Sequence, residues 1–312
     1  MSLNILVTGG AGYLGSIMVP QLLGKGYKVT VLDNFMFGQD SLNAVCADPN
    51  FSVIRGDSRD MGLMSNIVGK YDVIIPLAAL VGAPLCSRDK VGTVTTNRDS
   101  IIDLVRFLSK EQMVLMPITN SGYGIGQPGI LCTEETPLNP ISLYGQTKVE
   151  AESAILNRES SISFRLATVF GFAPRMRLDL LVNDFVYRAV KDKAVVLFES
   201  HFKRNYIHIR DVARAFMHGI ENFESMRGEA YNVGLSDANL SKLELCKEIQ
   251  KQVPDFTFLE APIGEDPDKR DYIVSNEKIE ATGFLPKYSL ELGIAELVKG
   301  YNMISNTKFS NV

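Results

Sequence analysis

Tyr144-Gly145-Gln146-Thr147-Lys148 places a phenol and an ammonium four residues apart, one turn along a single helix face. A cation at that distance favours the phenolate. Free tyrosine, with a pKa of about 10, ionises too weakly to act as a base near neutrality. The pair therefore points to proton abstraction from a hydroxyl group. Alone it is also what a solvated helix face shows, an exposed aromatic beside a solvated lysine.

A second group of residues supplies context. Thr8-Gly9-Gly10-Ala11-Gly12-Tyr13-Leu14-Gly15 follows the strand-like Ile5-Leu6-Val7 and opens a helical pattern. Glycines at 9, 12 and 15 let the backbone turn tightly and approach a pyrophosphate, whose charge the helix N-terminus stabilises. Asp33 stands at the end of the next strand, 18 residues beyond Gly15, where a carboxylate accepts hydrogen bonds from an adenosine ribose. The same carboxylate repels a 2′-phosphate, and Asn34-Phe35-Met36-Phe37 contains no Arg or Lys to hold one, so NAD is expected rather than NADP. Gly56-Asp57 after a third strand is read either as a turn alone or as a second carboxylate placed beside an adenine amino group.

The elements that must position these groups follow a β-α rhythm. Strands are expected near 3–8, 27–32, 51–55, 72–77, 112–118 and 161–167, and helices near 12–24, 60–68, 93–109 and 142–157, the last carrying Tyr144, Lys148 and Glu152 at i, i+4 spacing. That is an α/β fold, a Rossmann-type doubly wound parallel sheet with a smaller, mostly C-terminal substrate-binding lobe. After Thr168 the rhythm changes: helices are expected near 179–190, 210–220, 240–250, 276–281 and 289–301, and strands near 194–198, 204–208 and 229–233. The strand near 229–233 returns to the sheet. The expected division is 1–170 plus about 205–235 for the cofactor, and about 171–204 plus 236–312 for a second ligand.

Composition excludes other classes. The 312 residues are 46% hydrophobic and 22% charged with net charge −4, which argues against disorder, nucleic-acid polymers and anionic membrane surfaces. The apolar stretch Val73 to Leu85 is interrupted by Pro76, Gly82 and Pro84 and is too short to span a bilayer. Four scattered cysteines and a start without a basic, apolar leader suit a reducing compartment, so a cytoplasmic protein without metal or disulfides is expected.

Taken together, the glycine turn, Asp33 and Tyr-x-x-x-Lys resemble the extended short-chain dehydrogenase/reductase family of sugar-nucleotide epimerases and dehydratases. Leu77-Ala78-Ala79, Asn97, Tyr123-Gly124 and Arg204-x-Tyr-Ile-His208-x-x-Asp211 are further landmarks in the same order. The resemblance implies a cofactor set of Gly9, Gly12, Tyr13, Leu14, Gly15, Asp33, Asn34, Asp57, Ser58, Leu77, Ala78, Ala79, Asn97, Tyr144 and Lys148. It implies Thr119 as the catalytic hydroxyl, four residues before Tyr123 and 25 before Tyr144, with Ser121 competing for that role or binding substrate. Tyr144 would take the proton, Lys148 would lower the phenol pKa and hold the nicotinamide ribose, and Arg175, Arg177, Asn183, Arg204 and Arg270 would bind a nucleoside-diphosphate sugar. His208 and Asp211 are expected to serve local structure. A homo-oligomer, dimer or tetramer, is implied as well.

The dehydratase branch places Asp-Glu after the catalytic threonine, and this chain has Asn120-Ser121. Oxidation at C4 without loss of water is therefore expected, giving a 4-keto sugar nucleotide that is either released (4-dehydrogenase) or re-reduced on the other face (4-epimerase). Pro76 where the family often has His, Arg165-Leu-Ala-Thr-Val-Phe-Gly171 with Pro174-Arg175-Met176-Arg177-Leu178-Asp179, and Glu265-Asp-Pro-Asp-Lys-Arg270-Asp most resemble a bacterial subset that includes NAD-dependent GDP-heptose 4-dehydrogenases of surface-polysaccharide pathways. A reading of another class is a non-catalytic NAD-binding sensor or scaffold, which would have no need of Tyr144 at the nicotinamide.

Overall fold

A strand that is apolar on both faces must be covered on both faces, and the first strand is of that kind. The computed structural model describes residues 2–265 and 269–304, so the 266–268 part of the Glu265-to-Asp271 motif lies outside the described residues. The first part of the chain runs β1 Asn4–Thr8, α1 Gly15–Gly24, β2 Lys28–Asp33, β3 Phe51–Arg55, α2 Met61–Ile67, β4 Val73–Pro76, α3 Ala83–Arg88, α4 Lys90–Val94, α5 Ser100–Phe107, β5 Met113–Thr119, β6 Leu131–Cys132, α6 Leu143–Leu156 and β7 Ser161–Leu166. Then come β8 Thr168–Phe170, α7 Leu181–Lys191, β9 Ala194–Leu197, β10 Lys203–His208, α8 Ile209–Glu221, α9 Phe223–Met226, β11 Glu229–Val233, β12 Asn239–Ser241, α10 Lys242–Gln250, β13 Thr257–Glu260, β14 Ile273–Val274, α11 Glu277–Glu280 and α12 Leu290–Met303.

Seven strands form one parallel sheet in the order β11-β7-β5-β4-β1-β2-β3. Side-chain alternation divides its core. Ile5 and Val7 of β1 pack with Met18 and Leu22 of α1, while Leu6 packs with Met64 and Ile67 of α2 and Leu104 of α5. β1 lies between β2 and β4, where the winding reverses, and crevices outside the carboxyl ends of such strands are where α/β sheets hold ligands.

The remaining strands form a three-stranded sheet β12-β10-β8 and two parallel pairs, β13 with β9 and β14 with β6. The strand expected over 161–167 ends at Leu166, and β8 leaves the main sheet to pair with β10. No helix among the described residues is long and apolar enough to cross a membrane.

The helix expected over 93–109 is three pieces. A π-turn, Thr95–Asp99, separates α4 from α5 and widens the backbone at Asn97. Asn97 is buried and uses both ends of its amide on one residue, accepting from the Leu80 N–H and donating to the Leu80 carbonyl, each at 2.8 Å. This fixes the loop after β4. A tertiary contact, absent from helical periodicity, thus sets the helix boundary.

Candidate active site

Gly9 adopts φ +68°, and a Cβ there would stand 2.6 Å from the backbone of Ala78, so the turn after β1 and the loop after β4 touch main chain to main chain. At Gly15 a Cβ would collide with the carbonyl of Gly10; at Gly12 it would meet only the Gly9 carbonyl, at 3.1 Å, and otherwise extend into open cleft. The N–H groups of Tyr13, Leu14 and Gly15 precede the first bond of the α1 ladder, from Ser16 N–H to the Gly12 carbonyl at 2.9 Å. Asp33 braces this turn. Its carboxylate accepts from the N–H groups of Ala11 at 3.0 Å and Phe35 at 2.8 Å and from Gln39 at 3.2 Å, and burial pushes its carboxyl above the usual range.

Beside it, Asn34 donates to Asp57 at 3.4 Å, and Arg59 grips Asp57 through two nitrogens at 2.9 and 2.7 Å, which holds that carboxyl down to about 2. These features fit a dinucleotide: a glycine cradle a side chain would fill, free helix-terminal N–H groups, and a buried carboxylate.

One cleft of about 910 Å³ connects these groups with the Tyr-Lys pair. Gly9, Gly12, Tyr13, Leu14, Gly15, Asp33, Asn34, Asp57, Ser58, Leu77, Ala78, Ala79, Thr119, Ser121, Tyr144, Lys148, Arg175, Arg177, Arg204 and Arg270 all line it; Asn97 and Asn183 do not. The size lies at the upper end for small-molecule sites.

α6 starts at a Ser142 cap that accepts from the Gly145 N–H at 3.2 Å, so Tyr144 projects from the first turn and Lys148 from the second. Tyr144 is half-buried, and burial pushes its phenol up to about 12, opposed by the Arg177 and Arg270 guanidiniums. Lys148 is 4% exposed, and burial brings its ammonium down to about 8 against the pull of Glu152. Glu152, another turn on, is bound by Arg165 of β7 at 3.0 Å through two nitrogens and by Ser163 at 2.5 Å.

Thr119 ends β5. Its hydroxyl donates to Ser121 Oγ at 2.9 Å and accepts the Ser121 N–H at 3.1 Å, while Arg270 also donates to Ser121 Oγ. Ser121 thus accepts twice, and its own O–H is left to point elsewhere. Asn120 between them is 1% exposed, is not among the cleft-lining residues, and makes no hydrogen bond with either amide atom among the described residues.

The basic residues divide differently from the sequence expectation, which placed five polar groups on one substrate. Arg175 lies 4.9 Å above the Phe37 ring on the loop after β2, beside the cofactor turn, because the segment after β8 runs back over that turn. Arg177 pairs with Asp179 at 2.5 Å and faces Tyr144. Asn183 is fully buried: it accepts the Gly171 N–H at 3.0 Å and donates to the Tyr13 hydroxyl at 3.1 Å and the Arg177 carbonyl at 2.9 Å, which positions the wall without reaching the cleft.

Arg204, over the Tyr272 ring at 5.7 Å, and Arg270 line the far end with Lys242 and Lys269. Lys269 belongs to the Glu265-to-Asp271 motif, whereas Lys242 carries none: it follows β12 directly, and its ammonium donates to the Phe198 carbonyl at 2.8 Å and stands 5.3 Å from the centre of the Phe202 ring. His208 and Asp211 bind protein groups: His208 Nε2 lies 2.6 Å from Glu296, and Asp211 accepts the N–H groups of Lys287 and Tyr288 at 2.9 and 2.8 Å.

Known proteins are similar to this chain over nearly its whole length. The low-salt glycan biosynthesis protein Agl12 of Haloferax volcanii is 30% identical, with 96% of this chain and 98% of that protein covered. Among solved structures, the dTDP-glucose 4,6-dehydratase DesIV of Streptomyces venezuelae with NAD bound is 25% identical at a TM-score of 0.84, covering 96% of this chain and 97% of that one. The UDP-glucose 4-epimerase of Thermotoga maritima with UDP-glucose is 25% identical at 0.82, covering 96% and 99%. A family profile extends from residue 5 to residue 234, spanning the glycine turn, Thr119, the Tyr-Lys helix and β11, and the chain belongs to the NAD dependent epimerase/dehydratase family.

Proposed function

We propose that this NAD-dependent enzyme oxidises the C4 hydroxyl of a nucleoside-diphosphate sugar to a 4-keto sugar nucleotide without eliminating water. The observation that carries this reading is the catalytic wall itself: a phenol, an ammonium and two linked hydroxyls, with Asn120 turned off the cleft where a dehydratase would present an acid. Overall similarity does not separate the reactions, since a dehydratase and an epimerase match equally at 25% identity. The resemblance to GDP-heptose 4-dehydrogenases of surface-polysaccharide synthesis makes GDP-heptose the first substrate to test.

Tyr144 removes the C4 hydroxyl proton, and Thr119 with Ser121 hydrogen-bonds the oxygen as it becomes a carbonyl. Lys148 keeps positive charge beside the phenol while the proton transfers. NAD, when bound, supplies the acceptor for the hydrogen and electron pair leaving C4. Gly9, Gly12, Tyr13, Leu14, Gly15, Asp33, Asn34, Asp57, Ser58, Leu77, Ala78 and Ala79 hold it, and Asn97 acts through the Leu80 loop. The cofactor-binding part is residues 1–170 plus about 205–235. Arg204, Lys242, Lys269 and Arg270 bind the diphosphate end of the substrate in the remaining lobe. The enzyme works in the cytoplasm as a homo-oligomer, a part of the reading that rests on family resemblance.

Incubation with GDP- and UDP-sugars followed by mass spectrometry and NMR decides the outcome. Loss of two hydrogens with reduced cofactor is the expected result. Unchanged mass with inverted C4 identifies the 4-epimerase, the second reading, which the likeness to UDP-glucose 4-epimerase favours. Loss of water overturns both, and inactivity towards every sugar nucleotide favours a binding protein.

Cofactor choice has a separate test. Asp33→Ser removes a charged acceptor and is expected to weaken NAD binding by about 10- to 100-fold. NADP binding should improve relative to NAD as the repulsion disappears. Calorimetric titration of both cofactors measures the ratio, and an unaltered ratio removes Asp33 from the recognition set.

A further inference from the structure

The segment after β8 crosses the dinucleotide turn and brings a buried cation with it. Tyr13 of the glycine turn donates to the Gly171 carbonyl at 2.7 Å, and Ala173 and Met176, each 1% exposed, belong to the same core as Ala11 and Ile17. The Ala173 N–H meets Met176 Sδ at 3.1 Å, which folds the residues between them into a turn. At Arg175 this turn reaches the start of α1: its N–H lies 3.5 Å from Oγ of Ser16, the residue whose own N–H makes the first bond of the α1 ladder. The Arg175 guanidinium donates to the Met176 carbonyl and rests 4.9 Å above the Phe37 ring, in a residue only 6% exposed.

Phe37 is presented as a fixed seat. Its N–H donates to Gln39 Oε1 at 3.1 Å, Gln39 in turn donates to Asp33 at 3.2 Å, and Ser41 Oγ donates to the Ala11 carbonyl at 2.7 Å. The loop after β2 is thereby tied to Asp33 and back to the glycine turn, while the Phe37 ring stays 40% exposed and lines the cleft with Arg175. A guanidinium over a ring is held by its face, and it is the N–H edge that meets phosphate oxygens. The same stretch of cleft contains the opening N–H groups of α1, which favour an anion. Arg204, Lys242, Lys269 and Arg270 belong to β10 and later parts of the chain, whereas Arg175 is fastened to the dinucleotide elements.

We propose that Arg175 binds the cofactor and not the sugar nucleotide: seated on Phe37, its guanidinium holds the pyrophosphate of NAD together with the N-terminus of α1. The segment after β8 is then a strap across the dinucleotide, and Phe37 is a positioning residue that acts through Arg175. The proposal rests on NAD binding and not on the reaction assigned above, so turnover is not needed to decide it.

The full chain, freed of cofactor, is titrated calorimetrically with NAD and with ADP at two salt concentrations. Arg175→Met is expected to weaken NAD and ADP by a similar factor, about 10- to 100-fold, and to flatten the salt dependence of both, because a charged contact to phosphate is gone. Arg175→Lys should keep the salt dependence while losing part of the affinity. Phe37→Leu should weaken NAD a few-fold, and Arg175→Met/Phe37→Leu should bind no worse than Arg175→Met, since the ring acts through the guanidinium. GDP and UDP, titrated in parallel, should bind Arg175→Met as they bind the wild type. Unchanged NAD and ADP affinity in Arg175→Met overturns the proposal, and so does a loss of GDP or UDP binding as large as that of NAD. A loss of NAD affinity that leaves the salt dependence intact overturns it as well, because a loosened glycine turn would give that result. Should Arg175→Met fail to fold, Phe37→Leu at its exposed position decides: unaltered NAD affinity there rejects the proposal.

Discussion

Tyr144→Phe is expected to lower turnover by about 10²- to 10⁴-fold while NAD binding stays within a few-fold, because the substitution removes one hydroxyl and leaves the ring in place. The size follows from the state of the phenol. Burial pushes it up to about 12, so near neutrality it carries its proton unless neighbouring cations favour the anion. Lys148 provides such a charge only while protonated, and burial has brought that ammonium down to about 8. Oxidation should therefore rise with pH while Lys148 is charged and level off above about pH 8, where each further gain in phenolate is offset by loss of the Lys148 ammonium. In Lys148→Met the levelling near pH 8 disappears and the rise extends to higher pH, since the phenol has lost a stabilising cation. Initial rates of cofactor reduction across pH, in wild type and both variants, measure these limbs. A pH-independent wild-type rate would remove Tyr144 from the chemical step.

Arg165→Met should produce the largest loss of stability, about 3–5 kcal/mol, because it leaves the Glu152 carboxylate buried without its cation. The two side chains are 8% and 3% exposed and joined through two nitrogens, so water cannot replace the guanidinium. Arg165 also donates to the Tyr123 hydroxyl at 3.2 Å and the Glu134 carbonyl at 2.9 Å, and Tyr123 donates to Asn232 at 2.7 Å, so β7, β11 and the catalytic loop share the loss. The double variant Arg165→Met/Glu152→Leu should recover much of that stability, since it removes both charges together. Denaturant unfolding of the two variants measures the difference. Equal stability of single variant and wild type would show that Glu152 finds another partner.

The parts legible in the sequence are those specified by local pattern. Ile5-Leu6-Val7 declares a strand buried on both faces, the three glycines declare a turn before a helix, and Tyr144 and Lys148 share a face of α6 whatever surrounds it. The less legible parts depend on partners distant in the chain. The short strands β6, β12, β13 and β14 exist through pairing with segments far away, and their sequences are too brief to alternate. Asn97 splits a helix by binding Leu80, which periodicity does not encode. Arg175 lines the cleft with its guanidinium over Phe37, a placement that follows from the direction of the β8 crossover, which packing sets and composition does not. Lys242 is found at the cleft only once β12 is paired with β10.

The hydrogen bonds around Asn183 bear on how such enzymes can be recombined. Tyr13 in the glycine turn donates to the Gly171 carbonyl at 2.7 Å, Asn183 donates to the Tyr13 hydroxyl at 3.1 Å, and Tyr301 in α12 donates to the Asn183 carbonyl at 3.0 Å. The beginning, middle and end of the chain are thereby locked to one another at a single point. A chimaera that exchanges the second lobe between relatives must carry a compatible trio at 13, 183 and 301, or the dinucleotide turn loses a brace contributed by residues almost 300 positions downstream. In this protein the unit that can be inherited or transplanted is the tied set of three side chains, and a boundary drawn between domains would cut through it.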